Sequence, residues 1–112
     1  MGKEPGEIIR GTLDMLILRV VELEPMHGWG ICERIQGMSR DALRVQQGSL
    51  YASLHKLTRE GWIRSYWRTT EHNRRARYYE ITRAGARQLH AETSVWRRLS
   101  EGVELVLAGT AP

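Results

Sequence analysis

The strongest constraint on the fold is a C-terminal helix that is too long for its chain. From Thr82, an N-cap candidate, the sequence turns helical to about Leu107, a span of roughly 39 Å at about 1.5 Å per residue. The whole chain has 112 residues, a one-domain length. The helix therefore exceeds what so small a body needs and is expected to project from it. Along it Leu89, Trp96 and Val103 repeat every seven residues, as do Leu99 and Val106, giving an a/d seam interrupted only by Glu92. A seam of this kind asks for a second helix, so the expectation is a symmetric dimer joined through Leu89, Trp96, Leu99, Val103 and Val106.

The preceding residues divide into short elements. Gly11-Thr12 offers an N-cap, and Leu13, Leu16, Ile17 and Val20 then fall at helical spacing until Pro25 and Gly28 stop the run, predicting a first helix over about residues 12–24. Met15, Leu18 and Val21 lie off that stripe, so this helix needs cover on two sides, one of them open to a partner chain. A second helix, over about 28–38, presents Ile31, Cys32, Ile35 and Met38 as its apolar face and leaves through Ser39-Arg40-Asp41 into a linker ending at Arg44. The third, over about 47–60, gathers Leu50, Leu54 and Leu57, turns Ala52, His55, Lys56 and Arg59 outward, and closes on Gly61. Trp62 to Arg68 and Ala76 to Ile81 are rich in β-formers around a polar stretch, which reads as a two-stranded hairpin with Arg74 and Arg75 at its tip. Tyr79 and Ile81 share one face of that hairpin and are assigned to the core. Residues 1–7 and 109–112 are expected to be weakly ordered.

Charge separates these regions more sharply than any total. Residues 1–39 carry four basic and six acidic groups, residues 40–90 eleven and four, and residues 91–112 two and three, so the middle of the chain stands at +7 between mildly acidic ends. Fifteen of the seventeen basic residues are Arg, whose planar fork suits phosphate. A polyanion is the partner such a footprint fits.

Other classes fare worse. The longest aliphatic run, Met15 to Leu18, ends at Arg19, far short of the ~18 apolar residues of a membrane span. Met1 to Gly6 lacks a secretory apolar region, and Gly2 lacks the hydroxyl residue a myristoylation motif wants, so a cytoplasmic protein is expected. Cys32 is the lone cysteine and has no internal disulfide partner. His27, His55, His72 and His90 are never three or four residues apart, Asp14 and Asp41 are the only aspartates, and neither a phosphate loop nor a nucleophile elbow is present. No enzyme, metal site or cofactor is expected.

Three short helices, a ribbon with an arginine tip and a long terminal helix follow the order of a winged helix-turn-helix. The fold class expected is mainly α with a two-stranded β-wing: a winged helix-turn-helix over residues 8–82 plus a long C-terminal dimerisation helix over 83–107. The stretch QGSLYASLHKLTREGWI, Gln47 to Ile63, followed by NRRARYYEIT, Asn73 to Thr82, resembles the signature of the PadR family of bacterial transcriptional regulators. The opening GTLDMLILRVVELEPMHGWGI, Gly11 to Ile31, is similar to that family's first two helices, and the likeness is nearest to its short, acidobacterial-type subfamily. Two positions depart from the common pattern: Ala52 stands where the family commonly has proline, and Trp29 where it commonly has tyrosine. The resemblance implies a dimeric repressor joined through its C-terminal helix, in a family where some members sense aromatic compounds. The function expected is sequence-specific binding of double-stranded DNA at an inverted-repeat operator, with release by an aromatic small molecule. The alternative is a winged-helix module that binds protein and not DNA, which would favour mixed charge over an arginine-rich wing.

The residues assigned to DNA follow from position. Gln46, Gln47 and Ser49 stand at the start of the third helix, where side chains and free amides meet phosphates and base edges. The resemblance gives the Tyr51 hydroxyl a phosphate, while its place beside the apolar stripe leaves a half-buried core role open. Lys56 points outward toward backbone, and Arg59 lies further along the helix. Arg74, Arg75 and Arg77 can enter a minor groove or clamp phosphates, because three like charges within four residues repel one another unless a polyanion is near. Two roles are open to Trp96: seam packing, or, paired with its symmetry mate, a platform that stacks a flat effector.

Overall fold

The computed structural model describes residues 12–111, and the expectations for Gly11, for residues 1–7 and for Pro112 lie outside them. The chain runs α1 (Leu13–Leu23), β1 (Met26–His27), α2 (Gly28–Met38), α3 (Gln47–Arg59), β2 (Ile63–Thr69), β3 (Arg75–Ile81) and α4 (Arg83–Ala108). This is a winged helix with a long C-terminal helix.

Helix α1 is the centre of the body. Leu13, Ile17, Leu18, Val20 and Val21 are all buried, with Ile17 and Leu18 at 0% exposure, and α2, α3, α4 and β3 each pack against it. Its two apolar faces are thus largely covered by its own chain, with Met15 and Leu16 half-buried and Leu23 exposed in the last turn. Onto it α2 brings Ile31 and Ile35, α3 brings Leu50, Leu54 and Leu57, and the sheet brings Ile63 and Tyr79. Met38, assigned to the apolar face of α2, is exposed in the last turn of that helix, beyond the reach of the core.

The sheet departs from the expected two-stranded ribbon. It has three strands in the order β1-β3-β2, all antiparallel. The added strand is only two residues, pairing Met26 with Tyr79 and His27 with Tyr78, and it ties the start of α2 to the wing. His27 also caps α2, where its Nδ1 accepts from the Gly30 N–H at 3.1 Å. Across β2 and β3 the register sets Ile63 opposite Ile81, Ser65 opposite Tyr79 and Trp67 opposite Arg77. Core residues thus occupy one end of a face whose other end reaches the tip.

Helix α4 starts inside the body. The Thr82 hydroxyl accepts from the Gly85 N–H at 3.0 Å and donates to the Gly61 carbonyl at 2.6 Å, so one side chain caps α4 and anchors the end of α3. Gly61 stands at φ +78, as expected of the glycine that ends a helix. Leu89, expected in the seam between copies, is 6% exposed and belongs to the core of its own chain. The cause is the close approach of α4 to the sheet at Gly85, which draws the first two turns of the helix onto α1. A Cβ at Gly85 would fall on the Trp62 carbonyl oxygen and press on Ile81. Gly85→Ala is expected to destabilise the fold by about 1–3 kcal/mol, the usual cost of overpacking against backbone, read as a lowered urea midpoint with an unchanged slope.

Candidate nucleic-acid interface

Helix α3 is aimed by what precedes it. After α2 the chain turns through Arg40 and Asp41, both at positive φ. The Gln36 amide donates to Asp41 at 3.0 Å and the Leu43 N–H donates to the Ser39 hydroxyl at 3.0 Å, which fixes that turn. With Leu50, Leu54 and Leu57 held in the core, an outward row forms from Gln47, Tyr51, His55 and Arg59, each four residues from the next and all exposed. Gln46, the N-cap residue, is exposed just ahead of this row, and Ser49 is half-buried beside it. His55 and Arg59 thus join Gln47 and Tyr51, an association that four-residue spacing alone announces.

The Tyr51 phenol reaches the start of α2. A Cβ on Gly28 would stand 2.8 Å from the Tyr51 hydroxyl oxygen, so the absence of a side chain there is what lets the ring lie down. Lys56 is on the other side of the helix, about 180° from Gln47 at 100° per residue, and its ammonium donates to Asp14 of α1 at 2.7 Å. That hydrogen bond, with the charges of Asp14, Glu92 and Glu60, holds the Lys56 pKa above its ordinary value against a smaller opposing effect of burial. The structure therefore gives Lys56 to the junction of α1, α3 and α4, away from the row.

The wing completes the surface. Its tip is a closed turn in which the Thr70 N–H donates to the Arg74 carbonyl at 2.6 Å, the Arg74 N–H donates back to the Thr70 hydroxyl at 3.2 Å, and Asn73 stands at φ +59. Arg74 sits exposed in this turn, and Arg75 begins β3. Arg77, Ser65 and Tyr79 form one wall of a cleft whose other wall is Tyr51, His55 and Arg59 of α3. Wing and helix row are in this way two sides of one surface. Burial pushes the Tyr79 hydroxyl pKa up, with the Arg77 charge opposing. On the opposite face of the ribbon Arg68 lies 4.9 Å over the Tyr78 ring, Tyr78 stacks on Tyr66, and Arg64 pairs with Glu80 at 2.5 Å.

A second surface lies along α4. Beyond Glu92 the helix leaves the body, and Trp96, Leu99, Val103 and Val106 are exposed, with Trp96 at 43%. Trp96 forms a groove with Met15, Leu16 and Leu89 on one side and another with Met15, Val95 and Leu99 on the other. Among the described residues no group of His, Cys, Asp and Glu is arranged to hold a metal ion, and no helix is long and apolar enough to cross a membrane.

These elements, a helix row and an arginine wing on a three-helix body, define a winged helix. Residues 17–91 match the model of the PadR-like transcriptional regulator family, and the chain belongs to that family. A PadR-like transcriptional regulator from Bacillus cereus superimposes with a TM-score of 0.80 at 24% identity, covering 93% of this chain and 99% of the other. A PadR family transcriptional regulator from Eggerthella lenta does so at 0.76 and 27% identity, covering 93% and 88%. An uncharacterised protein of Lysinibacillus sphaericus is 27% identical over 104 residues, which are 93% of this chain and 95% of that one.

The Lys56 pair yields a pH test. A lysine whose folded pKa is raised contributes stability that is fully present below its unfolded value and is lost as pH rises through the folded one. Wild-type protein should lose this increment in the alkaline range in urea titrations, and Lys56→Met should not. At neutral pH the two should differ by less than about 1 kcal/mol, since the ammonium is half exposed.

Proposed function

We propose that this PadR-like protein is a sequence-specific DNA-binding regulator that works as a dimer and represses transcription until an aromatic molecule releases it. The observation that carries the reading is the single cleft bordered by the α3 row and Arg77 of the wing. A helix row that enters a major groove reads base edges, while a neighbouring ribbon rich in guanidinium supplies phosphate or minor-groove contacts. Gln46, Gln47 and Ser49 at the head of α3 are the base-reading candidates, Tyr51 a phosphate donor beside them, and Arg74, Arg75 and Arg77 the wing contacts. Lys56 serves the same interface indirectly, by fixing α3 on α1. A regulator of transcription works where the chromosome is, which for this family is the cytoplasm.

The dimer rests on the distal half of α4. Leu99, Val103 and Val106 expose an apolar stripe with no cover from their own chain. Gly102 lies beside them, where a glycine costs a helix about 0.5–1 kcal/mol relative to alanine, yet a Cβ there would meet nothing within 4 Å. A second copy crossing at that point supports both features. Trp96 stands where the stripe meets the body, between two shallow grooves, and its indole suits a flat aromatic ligand.

DNA binding is tested by titration at several salt concentrations. Changing Arg74→Ala together with Arg75→Ala should weaken binding to every duplex and lower the salt slope by about two. Gln47→Ala should cost about 1–3 kcal/mol on the operator and little on random DNA. Equal losses on both would reassign Gln47 to positioning. The assembly is tested separately: Leu99→Asp with Val103→Asp should sediment as a monomer at concentrations where wild type is a dimer, with its helical circular dichroism retained.

A further inference from the structure

The wing carries a residue that charge alone does not reveal. Trp67 is 54% exposed on β2, directly opposite Arg77 in the register and one pair from Thr69–Arg75 on the same face. Both guanidinium carbons, of Arg75 and of Arg77, stand 5.3 Å from the centroid of its indole. Two cations two residues apart on a strand repel each other, and each long side chain ordinarily samples many rotamers. An indole face attracts both. A guanidinium resting on a ring keeps its in-plane N–H donors free, so this contact leaves the arginines able to bind oxygen. Arg74 supplies a contrast: it carries the same charge at the tip with no ring contact among the described residues.

We propose that Trp67 is a positioning residue of the DNA interface, holding Arg75 and Arg77 side by side as a pre-formed probe for the narrow minor groove of A·T-rich DNA. The inference rests on the DNA-binding reading above and adds a sequence preference to it. Residues two apart on one face of a strand lie about 7 Å apart, close to two base-pair steps. A groove about 6 Å wide admits a ribbon edge but reads little beyond its width and the guanine amino group. Its negative potential is deepest where A·T pairs narrow it, and paired cations already in place gain most there, because the ordering of their side chains has been met before binding.

The test uses three duplexes of equal length, built from A·T, G·C and I·C pairs. Inosine lacks the guanine amino group in the minor groove while keeping the major-groove edge, so the I·C duplex isolates minor-groove reading. Wild type should bind the A·T and I·C duplexes about tenfold more tightly than the G·C duplex. Trp67→Leu should bind all three within about twofold of one another, losing affinity mainly on A·T and I·C, and Trp67→Tyr should restore part of the preference because it restores a ring face. Arg74→Ala should weaken binding to all three equally. Circular dichroism and urea midpoints check the fold, and if Trp67→Leu fails to fold, the Trp67→Tyr and Trp67→Phe variants decide by whether the preference falls as the ring face weakens. Wild type treating I·C like G·C, or Trp67 variants that keep the full preference, would overturn the proposal. Wild type binding no duplex at all would sink the DNA-binding reading itself, whereas binding without preference sinks only the role given to Trp67.

Discussion

Everything in this molecule is hung on the burial of α1. A helix apolar on two faces cannot lie on a surface, and here α2, α3, α4 and β3 close around it. Each fully buried aliphatic side chain is worth about 1.5–3 kcal/mol, and five of them lie on α1 alone. The four ion pairs among the described residues are solvent-accessible, and pairs of that kind contribute about 0–1 kcal/mol each. Hydrophobic contact with α1 therefore decides where the other elements sit. Each of them spends part of its surface on α1, and what is left over is the α3 row, the arginine end of the wing and the far stripe of α4.

The ion pairs sort the charges instead of holding the fold. Arg19 pairs with Glu22, Arg34 with Glu24, Lys56 with Asp14 and Arg64 with Glu80, so carboxylates neutralise bases around the body and at the root of the sheet. Toward the tip the pattern changes. Arg68, Arg75 and Arg77 lie against aromatic rings, not carboxylates. A ring organises a guanidinium without cancelling its charge, which leaves the positive potential of the central segment concentrated on the wing.

What could be read in the sequence is what depends on neighbours along the chain. The period of Leu50, Leu54 and Leu57 places α3, Gly61 marks its end and takes the positive φ such an ending needs, and Thr82 caps the long helix. Strand β1 escaped because two residues carry no alternation, and its partners Tyr78 and Tyr79 lie some fifty positions away. Leu89 fits the heptad as well as Leu99 does. Only the approach of Gly85 to the Trp62 carbonyl shows that the body claims the first of them. At the interface the arginine cluster was legible as charge, but Trp67 read merely as a β-former, because its role depends on which residue stands across the ribbon. Lys56 looked free for the same reason, since Asp14 is 42 positions away.

Helix α4 joins the two surfaces mechanically. Its first turns are core, fixed by the Thr82 cap and by Leu89, and its distal half has no cover from its own chain. A continuous helix has no soft dihedral between those halves, so a rotation of the distal stripe is carried to the body as a rigid movement. The junction where it would be felt is the groove lined by Met15, Leu89 and Trp96, one turn of α4 from Glu92, whose charge acts on Lys56 of α3. The aromatic ligand proposed for Trp96 would lie close to the groups that fix α3. To lower DNA affinity tenfold it must prefer the displaced arrangement by about 1.4 kcal/mol, a difference that a few side-chain contacts supply.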